Sequence, residues 1–252
     1  MSHLGVVVPA FRPDAARLEA YLREIVEELA PETVRVEFDA PDPETLEAIT
    51  SLSLPGVVVN AVPYRRGKGA AITAGFEALD TDRLAFADAD GSTPASELGR
   101  IVDALDGADV AAGSRRHPDS HVVGHQTLAR RLLGDGFAWL ARRLLEAELH
   151  DYQCGAKALT AEAWDRVRVH IYHPGFAWDI ELLAMAAALD LDIVEVPIDW
   201  EDKPGSTVSP VRTSLSMAKA LFVARNRAKR LQDSRLHDAL ARGDELALID
   251  RE

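Results

Sequence analysis

The chain has 252 residues, 47% of them hydrophobic, which suffices for one large core in a single α/β domain. Its formal net charge of −13 argues against nucleic acid as a partner, because this field repels a polyanion. Its one cysteine, Cys154, excludes an internal disulfide and a CxxC metal site, and indicates a reducing, intracellular compartment.

The basic residues are 5 Lys and 23 Arg. This acidic, lysine-poor composition favours a hypersaline cytoplasm, where salt screens repulsion, with plain acidic drift as the alternative. No run approaches the roughly 18 apolar residues that a membrane span needs, and the N-terminus has no signal-length apolar core. The sequence therefore predicts a soluble protein.

Short apolar runs alternate with helical patterns in the first half of the chain, which predicts strand-helix units and a mostly parallel sheet. We expect Asp14 to cap the first helix. The predicted strands are 4–9, 33–38, 56–60, 83–87 and 108–114, and the predicted helices are 14–30, 43–52 and 68 to about 79.

The order changes after residue 124. A long helix is predicted at 128–147, followed by the segment YQCGAKALT (152–160), a helix near 178–189 and a strand at 191–198. We expect these later strands to join the same sheet and their loops to cover one edge of it.

Most of the predicted strands end in polar or turn residues, among them Asp39 and Asp88. In open α/β sheets, ligands bind outside the carboxyl ends of the strands, so these residues are expected to share one edge. Asp88 and Asp90, in FADADGSTP, would point the same way on a regular strand and would need a cation between them. Such oxygen ligands suit Mg²⁺ or Mn²⁺ carrying substrate phosphates. Alternatively, Asp88 caps a helix and Asp90 is a solvated turn residue.

The segment RRGKGAA (65–71) places Gly67 and Gly69 around Lys68 just before a predicted helix. Backbone N–H groups and the helix dipole favour an anion there. The segment lacks the P-loop spacing, so a Walker-type site is not supported, and an ordinary surface turn is the alternative.

Seven segments in one order resemble the family 2 inverting glycosyltransferases with the GT-A fold: VVVPAF, GKGAA, FADADGSTP, GSRR, DYQCGAKALT, GFAWDIELL and VEVPIDWEDKPGSTVS. Within that family they look most like the dolichyl-phosphate β-glucosyltransferase and polyprenyl-phosphate glycosyltransferase branch. The resemblance covers about residues 4–225. It implies one GT-A domain over 1–228, with a nucleotide-binding half at about 1–115 and an acceptor half at about 116–228. Residues 229–252 would form a charged helical extension.

The activity that this resemblance implies is inverting transfer of a hexose to dolichyl or polyprenyl phosphate, assisted by Mg²⁺ or Mn²⁺. UDP-glucose is the expected sugar donor, and the expected location is peripheral, at the inner face of the cell membrane. Two alternatives stay open, a sugar nucleotidylyltransferase and an inert nucleotide-sugar-binding subunit. Nucleotidylyltransferases normally have a Gly-rich loop after the first strand, and the segment VVVPAFRPD of this chain has none.

The resemblance also implies roles for single residues. Asp88 would contact ribose or sugar, Asp90 would hold the metal, and Asp179 would stand in the catalytic position, as a base or to orient groups. The alternative for Asp179 is a helix-start carboxylate stabilised by the dipole. The implied donor-binding set is Pro9, Ala10, Asp39, Gly67, Lys68, Asp88, Ala89, Asp90, Gln153, Lys203 and Ser206.

Two departures from the family pattern leave the nucleotide open. FDAPDPET follows the second strand, so Asp39 is the candidate contact for the base and Asp42 a weaker one. Arg12-Pro13-Asp14 replaces the family's Asn-Glu after the first strand.

On the acceptor side, the implied residues are Arg115, Arg131, Asp151 and Trp200, with Asp151 and Gln153 reaching the donor sugar. Guanidinium groups bind phosphate bidentately, although Arg130 or Arg131 alone fits a solvated helix face equally well. Lys157 is expected to be structural and Cys154 buried. The stripe of Leu132, Leu133, Phe137, Leu140, Leu144 and Leu145 is expected in the core. Met217, Leu221 and Phe222 are candidates for a membrane surface, without polybasic assistance because the net charge is acidic.

Overall fold

The computed structural model describes residues 3–123, 128–201, 210–232 and 246–251, without the side chains of 128–133 and 210–216. Its strands are β1 (Leu4–Ala10), β2 (Thr33–Asp39), β3 (Val57–Val62), β4 (Arg83–Ala87), β5 (Val110–Ser114), β6 (His121–Val123), β7 (Ala156–Thr160), β8 (Ile193–Pro197) and β9 (Asp199–Glu201). Its α-helices are α1 (Ala15–Leu29), α2 (Pro43–Thr50), α3 (Lys68–Glu77), α4 (Ala95–Asp103), α5 (Leu128–Leu144), α6 (Ala161–Val167), α7 (Trp178–Ala188) and α8 (Pro210–Leu231).

Seven of these strands form one sheet in the order β3-β2-β1-β4-β7-β5-β8. The sheet is parallel except for β7, which runs antiparallel to β4 on one side and to β5 on the other. The remaining strands, β6 and β9, form a small parallel pair. The predicted α/β class with a mostly parallel sheet is therefore confirmed.

Hydrophobic clusters cover both faces of the large sheet. On one face α1, α2 and α4 pack against alternate residues of β1, β2 and β4. On the other face α3, α5, α6, α7 and α8 pack together, with Trp178 at the centre. The Trp178 ring contacts Phe86 edge to face at a centroid distance of 5.5 Å, and its Nε1 donates to Thr73 Oγ1 at 3.0 Å. These contacts fix the N-terminus of α7.

Most predicted elements lie within two residues of the observed ones, and Asp14 caps α1 by accepting from the Arg17 N–H. The long helix ends at Leu144 rather than 147. Within 152–160 only Ala156–Thr160 is a strand. Helices α4 and α6 were not predicted. Both are short, with nine residues in α4 and seven in α6.

The charged C-terminal part is only partly described. Residues 229–231 complete α8, and Leu248–Asp250 form a 3₁₀ turn. That turn packs back on the protein, since Leu248 N–H donates to the Ile171 carbonyl at 2.7 Å and Arg251 Nη2 donates to the Tyr172 carbonyl at 2.9 Å. The last described residues thus form a packed turn, and residues 233–245 of the expected helical extension lie outside the described part of the chain.

Candidate active site

The candidate site lies at the carboxyl ends of β1, β2, β4 and β5. Because β7 is antiparallel, its beginning lies at this same edge, and the segment 151–155 that leads into it joins the loops that follow the parallel strands. Asp88 N–H donates to the Gly155 carbonyl at 2.9 Å, which ties the two segments together. One edge thereby collects side chains from both halves of the chain.

Asp88 and Asp90 lie beyond the end of β4, which stops at Ala87. The prediction that strand alternation orients both carboxylates was therefore wrong, because these residues belong to a turn that continues through Gly91, with φ of +65°. Asp88 Oδ1 pairs with Lys68 Nζ at 2.9 Å. Asp90 is exposed, and its Oδ1 accepts a hydrogen bond from Ser92 N–H at 2.9 Å. This agrees with the alternative prediction that Asp90 is a solvated turn residue. Asp88 caps no described helix, since Pro94 stands at the start of α4.

The Asp88 carboxylate lies directly over Gly155. A Cβ added to Gly155 would come within 2.0 Å of Asp88 Oδ2, so only glycine leaves room for the carboxylate. Partial burial raises the pKa of Asp88; Lys68 opposes this rise and Asp90 adds to it. A cation beside Asp90 would offset the repulsion between the two carboxylates.

Lys68 connects Asp88 to Asp179. Its Nζ lies 3.3 Å from Asp179 Oδ2, and the fully buried Lys157 approaches Asp179 Oδ1 at 2.9 Å. Lys157 Nζ also donates to the Cys154 carbonyl at 2.7 Å. Burial alone would raise the pKa of Asp179, but Lys157 and Lys68 outweigh burial and hold that pKa below its usual value. Asp179 is thus a buried, ionised carboxylate clamped between two ammonium groups, and it is a weak base.

The glycines around Lys68 serve close packing. Gly67 has φ of +100°, and an added Cβ would lie 2.5 Å from the Pro174 carbonyl oxygen. An added Cβ on Gly69 would lie 2.5 Å from Trp178 Cβ. The loop before α7 therefore presses on the start of α3, which brings Lys68 and Asp179 within reach of each other. Two N–H groups at this helix start are already used, since Gly67 N–H donates to Asp39 and Ala70 N–H donates to the Pro174 carbonyl.

At the end of β2, the mostly buried side chain of Arg66 bonds to two acidic side chains. Arg66 Nε donates to Asp39 Oδ1 at 2.7 Å, and its Nη1 pairs with Glu37 Oε2 at 2.9 Å. Asp39 Oδ2 also accepts from Gly67 N–H at 2.7 Å. Burial lowers the pKa of Arg66, but its bonds to Asp39 and Glu37 outweigh burial and raise it. Arg66 Nη2 has no hydrogen-bond partner among the described residues, although it is buried.

The other residues considered for the base have local roles. Asp42 caps α2 by accepting from Thr45 N–H, and its pKa is lowered by that bond. Phe11, after β1, lies between two guanidinium groups, with Arg65 Cζ 4.2 Å and Arg12 Cζ 5.2 Å from its ring centroid. Pro9 and Ala10 belong to the end of β1, next to this group.

Arg115 and Asp151 form a bidentate ion pair. Arg115 Nε and Nη2 donate to Asp151 at 2.7 and 3.0 Å, and the Trp200 ring lies 5.6 Å from Arg115 Cζ. Burial raises the pKa of Asp151, but Arg115 outweighs it and holds that pKa far below the usual range. Gln153 N–H donates to Asp151 Oδ1 at 3.0 Å. The guanidinium fork expected to bind the acceptor phosphate thus already has a carboxylate partner.

The structure brings together Lys68, Asp88 and Asp179 directly, and Ala89, Asp90, Gln153 and the Arg115–Asp151 pair along the same edge. Three predicted site residues, Arg131, Lys203 and Ser206, lie outside the described side chains. Sequence reasoning missed Arg66, Glu37 and Gly155, and treated Lys157 as structural. Arg66 directly precedes the GKG motif, which was the available signal.

The carboxylates here fit a divalent cation only in part. Within the described ranges, no three His, Cys, Asp or Glu side chains are grouped closely enough to hold a metal ion. Asp90 is exposed and Asp88 is half-exposed, so they offer one or two carboxylates and leave the other positions to water and phosphate. This is the pattern of magnesium sites that are completed by a substrate diphosphate.

The chain is similar in sequence and in fold to known proteins. Residues 5–164 match the family model described as glycosyl transferase family 2. The chain is 31% identical to glycosyltransferase AglD of Haloferax volcanii, over 87% of the chain and 36% of the relative. It is 32% identical to the human dolichyl-phosphate beta-glucosyltransferase, over 68% of the chain and 56% of the relative. The chain thus spans about half the length, or less, of these relatives.

Solved structures of similar fold include glucosyl-3-phosphoglycerate synthase from Mycobacterium tuberculosis, in complex with Mn²⁺, UDP-glucose and phosphoglyceric acid. It superposes with a TM-score of 0.65 at 19% identity, covering 89% of this chain and 80% of that one. Mannosyl-3-phosphoglycerate synthase from Rubrobacter xylanophilus gives 0.62 at 16% identity, over 96% and 76%. At such low identities, the likeness shows a common fold.

Proposed function

The chain belongs to glycosyl transferase family 2, and from this premise we propose that it transfers glucose from UDP-glucose to a dolichyl or polyprenyl phosphate. It has the GT-A fold and is a glycosyltransferase. The acceptor is suggested by the relatives named dolichyl-phosphate beta-glucosyltransferase, and the sugar donor by the UDP-glucose of the similar structure. Family membership leaves no support for the nucleotidylyltransferase alternative.

The observation that carries this proposal is the cluster of Lys68, Asp88, Asp90 and Asp179 at one edge of the sheet. Asp90, with Asp88 beside it, would hold Mg²⁺ or Mn²⁺, which neutralises the charge that develops on a departing diphosphate. Lys68 stands at the start of α3, where its ammonium group and the helix N-terminus favour the same diphosphate. Asp88 then contacts the sugar or ribose.

In the proposed reaction, an oxygen of the acceptor phosphate attacks the anomeric carbon of glucose. The bond from that carbon to the UDP oxygen breaks on the opposite side, so the configuration inverts and UDP leaves with the bonding electrons. The acceptor phosphate is largely ionised at neutral pH, so no strong base is needed. Asp179, ionised and clamped, orients Lys68 and the sugar rather than removing a proton.

The base would lie near Asp39, Arg66 and Phe11. Asp39 is already bonded to Arg66 and Gly67, and Arg66 Nη2 is a buried donor with no partner among the described residues, so it would reach a carbonyl oxygen of uracil only if the side chain moves on binding. On the acceptor side, the Arg115–Asp151 pair and Trp200 would border the phosphate. Bonding to Asp151 fixes the orientation of the Arg115 guanidinium group through Nε and Nη2 and does not use Nη1.

A transfer assay tests this proposal. Purified full chain, Mn²⁺, radiolabelled UDP-glucose and dolichyl phosphate in detergent are expected to give a charged glycolipid, whose β linkage is read by NMR. Asp90→Asn is expected to abolish transfer with an unchanged melting temperature. Asp106→Asn is the matched control, because Asp106 is exposed and pairs with Arg83. Donor binding without any transfer, with GDP-mannose also tried, would instead support the inert subunit.

A further inference from the structure

A short loop ahead of α7, residues 171–175, lies against the start of α3. The two residues that follow Lys68 both meet its backbone. A Cβ added to Gly69 would lie 2.6 Å from a carbonyl oxygen of the loop, and Ala70 N–H donates to the Pro174 carbonyl at 3.0 Å. Backbone contacts of this kind leave little freedom, so the position of Lys68 depends on where the 171–175 loop lies.

The carboxylate of Glu181 holds this loop in place. Glu181 is on the first turn of α7 and is 2% exposed. Its Oε2 accepts hydrogen bonds from the backbone N–H groups of Tyr172 at 2.9 Å and of His173 at 2.7 Å. Because an ionised acceptor forms stronger hydrogen bonds than a neutral one, two such bonds on consecutive residues fix the course of the loop.

Helix α8 supports Glu181 from its other side. Arg227 of α8 pairs with Glu181 Oε1, and its Cζ lies 4.3 Å from the ring centroid of Tyr172. The apolar side of α8 packs on α7, so Met217 and Leu221, which were expected at a membrane surface, are buried in the core. Like the other described helices, α8 is not long and apolar enough to cross a membrane.

The packed turn at residues 246–251 provides a second support for the same loop. Leu248 N–H donates to the Ile171 carbonyl at 2.7 Å, and Arg251 Nη2 donates to the Tyr172 carbonyl at 2.9 Å. Leu248 is buried, and the turn also contacts α3. The turn thus bonds to carbonyl groups of the loop, whereas Glu181 bonds to its N–H groups. A variant that weakens the contact with Glu181 is therefore expected to keep its fold.

We propose that Glu181 is a positioning residue, which holds Lys68 in place for the diphosphate of the sugar donor through the 171–175 loop. The Lys68 ammonium group lies 2.9 Å from Asp88 and 3.3 Å from Asp179, at the end of a long, flexible stem. Its aim is reproducible only if the backbone that carries it is fixed. This inference rests on the proposed function, which assigns the diphosphate to Lys68.

The experiment compares the binding of UDP and of uridine to the full chain with Mn²⁺, by titration calorimetry with uridine as a competitor. Glu181→Gln keeps the size of the side chain but leaves one acceptor oxygen for three donors. It is expected to weaken UDP binding about tenfold, because the contact between Lys68 and the diphosphate is misaligned. Uridine lacks the diphosphate, so its affinity is expected to change less than about twofold.

A double variant tests whether Glu181 acts through Lys68. Lys68→Met is expected to weaken UDP binding at least as much as Glu181→Gln does. Lys68→Met/Glu181→Gln is then expected to bind UDP within about twofold of Lys68→Met alone, because the two residues belong to one path.

The matched control is Glu77→Gln, at the opposite end of α3. The Glu77 carboxylate also holds two donors, Trp164 Nε1 and Arg168 Nη1, each at 2.7 Å. The control therefore removes the same charge from the same helix, away from Lys68. It is expected to leave the affinities for UDP and uridine unchanged, even where the melting temperature falls.

Amide hydrogen exchange gives a readout that needs no ligand. The Ala70 N–H, bonded to the Pro174 carbonyl, is expected to exchange faster in Glu181→Gln than in the wild type and at an unchanged rate in Glu77→Gln. Unchanged exchange at Ala70 in Glu181→Gln overturns the proposal.

Two binding results would also overturn it. One is an equal loss of affinity for UDP and uridine in Glu181→Gln, which indicates a general structural role. The other is a further loss of about tenfold when Glu181→Gln is added to Lys68→Met. A wild type that binds no UDP contradicts the proposed function instead, and exchange at Ala70 then still decides whether Glu181 fixes the start of α3.

Discussion

Lys157→Met is the sharpest test of the charge cluster, because it removes one of the two cations that hold Asp179. The methionine side chain keeps the apolar volume of the lysine stem and removes only the ammonium group. Lys157 is fully buried in β7, and the Asp179 side chain is 3% exposed, so water cannot replace the lost partner. The carboxylate would keep Lys68 at 3.3 Å.

Breaking a buried ion pair by removing one partner costs about 3 to 5 kcal/mol. We expect the lower end, about 3 kcal/mol, because Lys68 remains. In a chain of this size each kcal/mol lowers the melting temperature by about 2 to 4 °C, so the drop should be roughly 6 to 12 °C. Lys157→Met/Asp179→Asn should recover part of this loss, since it leaves no buried charge without a partner, with a coupling energy of about 1 to 3 kcal/mol.

Urea unfolding and differential scanning calorimetry measure both quantities. The matched control is Arg23→Met, which removes the Arg23–Glu19 pair on α1, where both side chains are nearly half exposed. That pair is expected to be worth less than about 0.5 kcal/mol. A loss below about 1 kcal/mol for Lys157→Met, or strict additivity in the double variant, would refute the reasoning.

Three further outcomes are expected. Gly155→Ala displaces the Asp88 carboxylate, because the added methyl group would occupy the space of that carboxylate. The rate of transfer should fall on the order of 100-fold in the transfer assay, while the free energy of unfolding measured in urea should fall by less than about 1 kcal/mol. Tyr21→Phe should leave the free energy of unfolding unchanged or raise it by about 1 kcal/mol, because the buried Tyr21 hydroxyl has no hydrogen-bond partner among the described residues; a clear loss would contradict this. Asp151 and Asp179 have lowered pKa values in the folded protein, so the stability that they contribute is complete above the unfolded pKa of about 3.9 and is lost as the pH falls below that value. Calorimetry from pH 7 to pH 3 should show the melting temperature falling, and the fall should be smaller in Asp179→Asn.

The fold class could be predicted because apolar runs of strand length alternate with amphipathic helical patterns up to β5. The position of β7 could not. Its residues, Ala156–Thr160, are buried on both sides like those of a parallel strand, so local pattern carries no information about direction or neighbours. Only tertiary pairing with β4 and β5 fixes both.

Candidate site residues could be chosen from the sequence where chemistry depends on residue type and position in the chain, as for Asp88, Asp90 and Lys68. Partners contributed by distant segments were out of reach. Arg115 was expected to bind the phosphate of the lipid acceptor, but the sequence does not reveal that Asp151, 36 residues later, binds its guanidinium group.

The antiparallel strand β7 has a consequence for how the chain assembles. It supplies the pairing partner of both β4 and β5, so until residue 160 has been synthesised the polypeptide presents two open sheet edges in its middle. Local pairing of β1 with β2 and of β2 with β3 can begin early, whereas joining the two groups of strands waits for a segment some 70 residues beyond β4. The candidate site, which uses side chains on either side of that seam, can therefore be completed only after β7 has paired with both strands.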